Sequence, residues 1–284
     1  MRIAHVSDIH FGAADEDLIE AVIAAVRGIE PDLVVISGDL TMAARAREFR
    51  RAAAFIAALG APVLSTPGNH DLPVFDLVER FTAPLRRYRR HIEPITMSAL
   101  TTDKVAILSL NSARPWDLSW NWSHGRLSRA QIAEADAFFA AASAARFRAL
   151  VVHHPFYVPE DLPGFRVIGN GEAMMAVLAR RRVHAVLSGH LHQQAMVSRE
   201  IELDEYVEQA GAGAGAGAHT VMLLQVASAT TTRRRNQPNA FAVLEIGSGA
   251  GGAMDAGAVV RTEWVAEGDR FVAGEGEVVV RLDG

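Results

Sequence analysis

Five short polar clusters stand at the ends of apolar, β-branched runs, and this pattern restricts the chain more than any other feature of its sequence. The runs are Ile3 to Ser7, Leu33 to Ser37, Val63 to Thr66, Leu150 to Val152 and Ala185 to Ser188. The clusters that follow them are Asp8-Ile9-His10, Gly38-Asp39, Gly68-Asn69-His70-Asp71, His153-His154 and Gly189-His190-Leu191-His192. A sixth run, Val105 to Leu110, ends at Asn111. Each run has the length and composition of a strand. Leu18, Ile19, Val22, Ile23, Val26 and Ile29 recur at helical spacing between the first two runs, and Phe49, Ala52, Ile56 and Leu59 between the next two. Strand, helix, strand in this order predicts right-handed crossovers and a largely parallel sheet. Ligands of such sheets bind beyond the carboxyl ends of the strands, so the five clusters are expected on one rim.

After about residue 195 the helical periodicity fades, and strand-like runs appear at Val221 to Ala227, Ala240 to Ile246, Val259 to Val265 and Glu277 to Leu282. The expected organisation is one domain over 1–284, with a motif-bearing part, 1–194, and a mainly β part, 195–284. Two stretches rich in Gly and Ala, Ala210 to Ala218 and Gly247 to Gly257, read as loops with little to pack.

Composition removes several function classes. The chain has no cysteine, which excludes disulfides, thiolate metal sites and cysteine nucleophiles. Its net charge of −5 argues against bulk nucleic acid as the main partner, although local basic stretches leave a narrower role open. Arg2 to Asp8 lacks the apolar core of a secretory signal, and the longest apolar stretch, Ala52 to Leu64, is broken by Gly60 and Pro62. No membrane partner is expected, and the location is read as cytoplasmic.

Aspartate, asparagine and imidazole are oxygen and nitrogen donors suited to manganese, iron or zinc. Asp-x-His is a common turn and Gly-Asp is ordinary punctuation, so single clusters say little. The two imidazoles of Gly-His-Leu-His, one residue apart, project the same way on an extended segment. Six of the eleven histidines fall in the clusters, which a purely structural reading has to treat as coincidence.

The ordered set, from Asp8 to His192, resembles the calcineurin-like metallophosphoesterase superfamily. Gly38-Asp39-Leu40-Thr41 and His153-His154-Pro155 are most similar to its bacterial class III cyclic-nucleotide phosphodiesterases. The resemblance implies a four-layer αββα fold, in which two mixed sheets form a β-sandwich flanked by helices. It also implies two divalent metal ions, one held by Asp8, His10 and His192 and the other by Asn69, His153 and His190, with Asp39 bridging. Of the adjacent histidines, His153 is taken as the ligand because it matches the first position after the strand, which leaves His154 behind it. A metal-bridging hydroxide would attack a small phosphodiester in line, such as a 3′,5′-cyclic nucleotide, and His70 would serve the leaving oxygen. A nuclease or a phosphomonoesterase on the same scaffold is the nearest alternative, and a non-catalytic protein-binding scaffold is an alternative of a different class.

Other residues carry two readings each. Asn69, His70, Asn111 and His154 are candidate substrate-binding residues, but Asn111 also suits a turn. Asp71 either orients His70 or caps the segment after it. Arg86 to Arg90 and Arg233 to Arg235 could grip phosphate or simply form a solvated face. Trp116, Trp120, Trp122 and His124 could stack a base or meet a second copy of the chain in a homo-oligomer. Met42 stands three residues after Asp39, where purple acid phosphatases place a metal-binding tyrosine, so a tyrosinate-bound ferric centre is not expected.

Overall fold

Runs as apolar as Leu33 to Ile36 must be covered on both faces, and in the computed structural model of the chain they are. The structure describes residues 1–116, 121–162, 164–202, 218–232, 237–247 and 257–282. The chain opens with β1 (Arg2–Val6), α1 (Glu16–Ile29), β2 (Leu33–Ile36), α2 (Ala46–Ala58) and β3 (Val63–Ser65). Two short helices follow, α3 (Leu77–Thr82) and α4 (Arg86–His91), then β4 (Ala99–Thr101), β5 (Val105–Ser109), α5 (Arg129–Ala141), β6 (Phe147–Val151), α6 (Gly171–Arg180) and β7 (Ala185–Ser188). The described elements beyond these are strands: β8 (Ala195–Glu202), β9 (Ala218–Gln225), β10 (Ala240–Ile246), β11 (Ala258–Glu267) and β12 (Arg270–Arg281).

The strands form two sheets, ordered β12-β11-β10-β1-β2-β3 and β4-β5-β6-β7-β9-β8. Side-chain alternation splits each central strand between two cores. In β2, Leu33 and Val35 pack between the sheets, while Val34 and Ile36 pack under α1 and α2. In β6, Phe147, Ala149 and Val151 face the other sheet and Leu150 lies against α5 and α6. The result is helix, sheet, sheet, helix, as the resemblance implies. The apolar positions named for α1 and α2 line the helix-side core.

The largely parallel sheet expected from strand–helix alternation is corrected by the pairing. β1-β2, β2-β3, β5-β6, β6-β7 and β7-β9 are parallel. β1-β10, β10-β11, β11-β12, β4-β5 and β8-β9 are antiparallel. A crossover helix enforces parallel neighbours, but strands joined without one fold back on each other. Positions 210–217, most of 247–257 and the arginines at 233–235 lie outside the described residues; Ala218 opens β9. Among the described residues, no helix is long and apolar enough to cross a membrane.

Candidate metal centre

The chain leaves each motif-bearing strand by a sharp turn. Asp8, His10, Asp39, His190 and His192 all have left-handed φ, between 52° and 76°. A non-glycine residue there costs roughly 1 kcal/mol, and five such residues on one rim store strain where donors must point inward. Glycines let the turns close. A Cβ on Gly68 would lie 2.1 Å from Asp39 Oδ1, and one on Gly189 would lie 2.4 Å from Asp8 Oδ2.

The turns bring seven side chains together in two groups. In the first, His10 Nε2 lies 2.9 Å from His192 Nε2, and Asp8 Oδ1 lies 3.5 and 3.1 Å from these two atoms. In the second, His153 Nε2 is 3.2 Å from Asn69 Oδ1 and 3.2 Å from His190 Nδ1. Asp39 Oδ2 stands between the groups, 3.3 Å from His153 Nε2 and 3.8 Å from His10 Nε2. Donors held about 2.0–2.2 Å from a divalent first-row ion are spaced at about 3 Å from one another. The spacing and the all-oxygen-and-imidazole donor set therefore fit divalent metal ions.

Other contacts fix which atom each side chain presents. Asp8 Oδ2 accepts from Ser7 Oγ at 2.6 Å and from the His190 amide at 3.0 Å, leaving Oδ1 for the first group. Asp39 Oδ1 accepts from the His70 amide at 2.8 Å. The Ser37 carbonyl takes the Nδ1 proton of His153 at 2.8 Å, so Nε2 faces the site.

The charges follow the same plan. Burial alone would raise both aspartates, but His192 beside Asp8 and His153 beside Asp39 hold them well below the usual carboxylate range. Burial holds His10 low and, with the His153 charge, pushes His190 down to about 3, so both are already free of the proton a cation would displace. His153 differs: burial lowers it, but the Asp39 carboxylate outweighs that and carries it up to about 9. A cation held by these residues would have to displace that proton.

His70 lies beside the first group, its ring 5.0 Å from that of His10. Its Nδ1 is 2.8 Å from the Met42 carbonyl. A carbonyl only accepts, so Nδ1 carries a proton and Nε2 is the nitrogen that can exchange one. This contact, and not Asp71, orients the ring. The Asp71 carboxylate accepts instead from the amides of Leu40, Thr41 and Gly68 at 3.2, 2.8 and 3.0 Å, tying two motif turns together. Burial and then the Asp39 charge push its pKa up to about 6.

His154 is buried behind the second group. Its Nδ1 is 2.7 Å from Ser112 Oγ, its ring 4.8 Å from that of His190, and its Nε2 has no hydrogen-bond partner. It offers a donor to the same group as His153 and His190. Asn111 spends its Oδ1 on the Ala113 amide at 2.8 Å, the geometry of a turn. In α4, Arg86 and Arg87 pair with Glu79 and Arg89 with Glu93, which favours the solvated-face reading. Trp122 is covered by the Arg80 guanidinium, 4.3 Å from its ring centre, Trp116 is exposed and Trp120 lies outside the described residues. Sequence reasoning missed Ser7, Ser112 and the Ser37 and Met42 carbonyls. Backbone acceptors leave no signature in residue type, and the two serines read as ordinary strand-end residues.

Residues 1–194 match the family described as calcineurin-like phosphoesterase. A probable cyclic nucleotide phosphodiesterase from Synechococcus sp. is 28% identical over 211 residues, 70% of this chain and 76% of that protein. A glycerophosphodiester phosphodiesterase from Enterobacter lignolyticus is 37% identical over 82 residues, 25% of this chain and 30% of that one. Among solved structures, a dimetal phosphatase from Danio rerio is similar with a TM-score of 0.61 at 13% identity, over 99% of each chain. A purple acid phosphatase from yellow lupin (Lupinus luteus) gives 0.64 at 11% identity, over 96% of this chain and 52% of that one. At such identities these two structures speak for the fold alone.

Proposed function

The chain belongs to the calcineurin-like phosphoesterase family and is a hydrolase of phosphate esters, and from that premise we propose that its substrate is a small phosphodiester, 3′,5′-cyclic nucleotides first among them. The observation that carries this reading is the pair of donor groups with Asp39 Oδ2 between them. Two relatives support the diester: one named as a probable cyclic nucleotide phosphodiesterase and one as a glycerophosphodiester phosphodiesterase.

Asp8, His10 and His192 would hold one divalent ion and Asn69, His153 and His190 the other, with Asp39 shared; manganese, iron and zinc all suit the donors. Bound there, such ions lower the pKa of water and act as Lewis acids toward phosphoryl oxygens. The protein sets the rest. Two carboxylates against two divalent ions would leave the rim positive and so favour an anionic ester. The backbone bonds to Asp8 Oδ2 and Asp39 Oδ1 keep the facing oxygens from turning away. His70, with its Nδ1 proton committed to the Met42 carbonyl, presents Nε2 to give a proton to the leaving oxygen. His154 supports the second group from behind.

The test is a substrate profile of the purified, manganese-loaded protein on bis(p-nitrophenyl) phosphate, p-nitrophenyl phosphate, cyclic AMP and single-stranded DNA. Higher kcat/KM on the two small diesters is expected. Preference for the monoester, or for DNA over both small diesters, overturns the reading.

A further inference from the structure

Helix α3 is turned inside out. Its charged residues are the buried ones, Glu79 at 5% and Arg80 at 1% exposure, whereas Val78 is 76% and Phe81 53% exposed. Leu77, and Val74 and Phe75 just before the helix, extend the outward apolar face. Of the ten large apolar side chains exposed among the described residues, five fall in this stretch of eight. Single exposed apolar residues need no cause, but a cluster does.

Contacts on the inner side hold this orientation. Arg80 donates Nε to the Pro115 carbonyl at 2.6 Å and Nη1 to the Pro73 carbonyl at 2.9 Å, with its guanidinium over Trp122. Glu79 accepts from Arg86 at 2.9 Å and also pairs with Arg87, and Asp76 caps the helix by accepting from the Glu79 amide at 2.9 Å. A helix of six residues has little stability of its own, and in water a helix buries its apolar stripe. One that buries a charged pair and presents the stripe is ordered for something outside the chain.

The charges beside the face indicate what fits it. Arg45, at the start of α2, lies 5.2 Å from the ring centre of Phe75, and α4 packs on α2 through Tyr88 and His91 against Phe49. These two helices expose Arg47, Arg50 and Arg90, which enter no ion pair among the described residues. The chain as a whole carries −5, so this is a local concentration of positive charge. Trp116, next to the Pro115 carbonyl that holds Arg80, is exposed beside the face. Aromatic and aliphatic side chains with an arginine rim match an anionic bilayer, in which the rings enter the acyl boundary and the guanidinium groups meet phosphate. A second copy of the chain fits less well. Two arginine rims would face each other, and an exposed apolar area on the order of 500 Å² falls short of the ~800 Å² per partner of a stable interface.

We propose that the α3 face docks the protein peripherally on an anionic lipid bilayer, with Phe75, Val78 and Phe81 inserted and the arginines of α2 and α4 on the headgroups. Such a contact needs no spanning helix, and it is independent of the substrate of the metal centre.

The test is co-sedimentation of the metal-loaded full chain with vesicles of phosphatidylcholine alone and of phosphatidylcholine mixed with phosphatidylglycerol, at low and high salt. Binding to the mixed vesicles at low salt is expected, and the apparent affinity should fall about tenfold or more in Phe75→Ser/Val78→Ser and in Arg50→Glu/Arg90→Glu. Phe75 and Val78 are so exposed that the first variant should keep its melting temperature and its hydrolysis of an aryl diester. Asp39→Ala should sediment like the wild type, which separates docking from capture of a lipid phosphodiester at the metal centre. Absence of binding, equal binding to neutral vesicles, unchanged affinity in Phe75→Ser/Val78→Ser, or loss of binding in Asp39→Ala alone overturns the proposal. So does a wild-type dimer in analytical ultracentrifugation that ignores vesicles and dissociates in Phe75→Ser/Val78→Ser, because a second copy then covers the face.

Discussion

Replacing Gly68 by alanine tests whether the close approach of the motif turns sets the geometry of the centre. A Cβ at this position would stand 2.1 Å from Asp39 Oδ1 and 2.5 Å from the Asp39 backbone nitrogen. Ordinary contact begins near 3.4 Å, so the Asp39 turn has to retreat by more than about 1 Å, and the backbone nitrogen cannot swing aside as a long side chain would. That turn carries Oδ2, 3.3 and 3.8 Å from a nitrogen of each donor group. Misplacing a reacting geometry by about 1 Å costs on the order of 100-fold in rate, equivalent to about 2.7 kcal/mol, and overpacking lowers stability by a further ~1–3 kcal/mol. The assay is kcat/KM on bis(p-nitrophenyl) phosphate with manganese, beside bound metal by elemental analysis and urea unfolding. We expect kcat/KM to fall about 100-fold, with partial loss of metal and a cooperative fold retained. Gly28→Ala is the control. It sits in α1 with nothing within 4 Å of its new Cβ, and should stabilise by ~0.5–1 kcal/mol without changing activity. A Gly68→Ala protein with full metal content and activity within about tenfold of wild type would refute the reasoning.

Asp39→Ala should abolish hydrolysis and lower the content of both metals, whereas His70→Ala should keep the metals and lose roughly 10²–10³ in kcat; equal metal loss in the two variants contradicts this division of roles. His5, buried between the sheets with Nε2 2.9 Å from Ser37 Oγ, is pushed down to about 3 by burial and then by Arg261. Because its folded value lies below the unfolded one, its contribution is fully present above pH ~6.5 and is lost as the pH falls toward about 3. Between pH ~6.5 and ~4.5 the wild type should lose about 2 kcal/mol more stability than His5→Gln in urea titrations, and parallel losses in the two proteins would contradict the assignment.

Much of this was legible in the sequence because strand ends announce themselves. The apolar runs of β2 and β7 require cover on both faces, and polar clusters gathered after β1, β2, β3, β6 and β7 point to a shared ligand. The period of α1 and α2 gave their buried faces directly. β4 and β8 were not foreseen. β4 has three residues on a sheet edge, and β8 is largely half-exposed or exposed, so neither shows a strong apolar alternation. Sheet order escaped for a different reason. Pairing of β1 with β10 joins residues more than 230 positions apart, and no local periodicity encodes such a partner. The turn role of Asn111 and the cross-link made by Asp71 depend on which amide lies within reach, a property of the assembled rim rather than of either residue.

The donors have an unequal origin. Asp8, His10, Asp39 and Asn69 hang from β1, β2 and β3 in one layer, whereas His153, His190 and His192 hang from β6 and β7 in the other. Cations seated among them would act as rivets through the seam of the sandwich. Grip on the ions and cohesion of the two halves then become one thermodynamic quantity: whatever slides one layer past the other loosens the rivets, and whatever withdraws them frees the layers to slide.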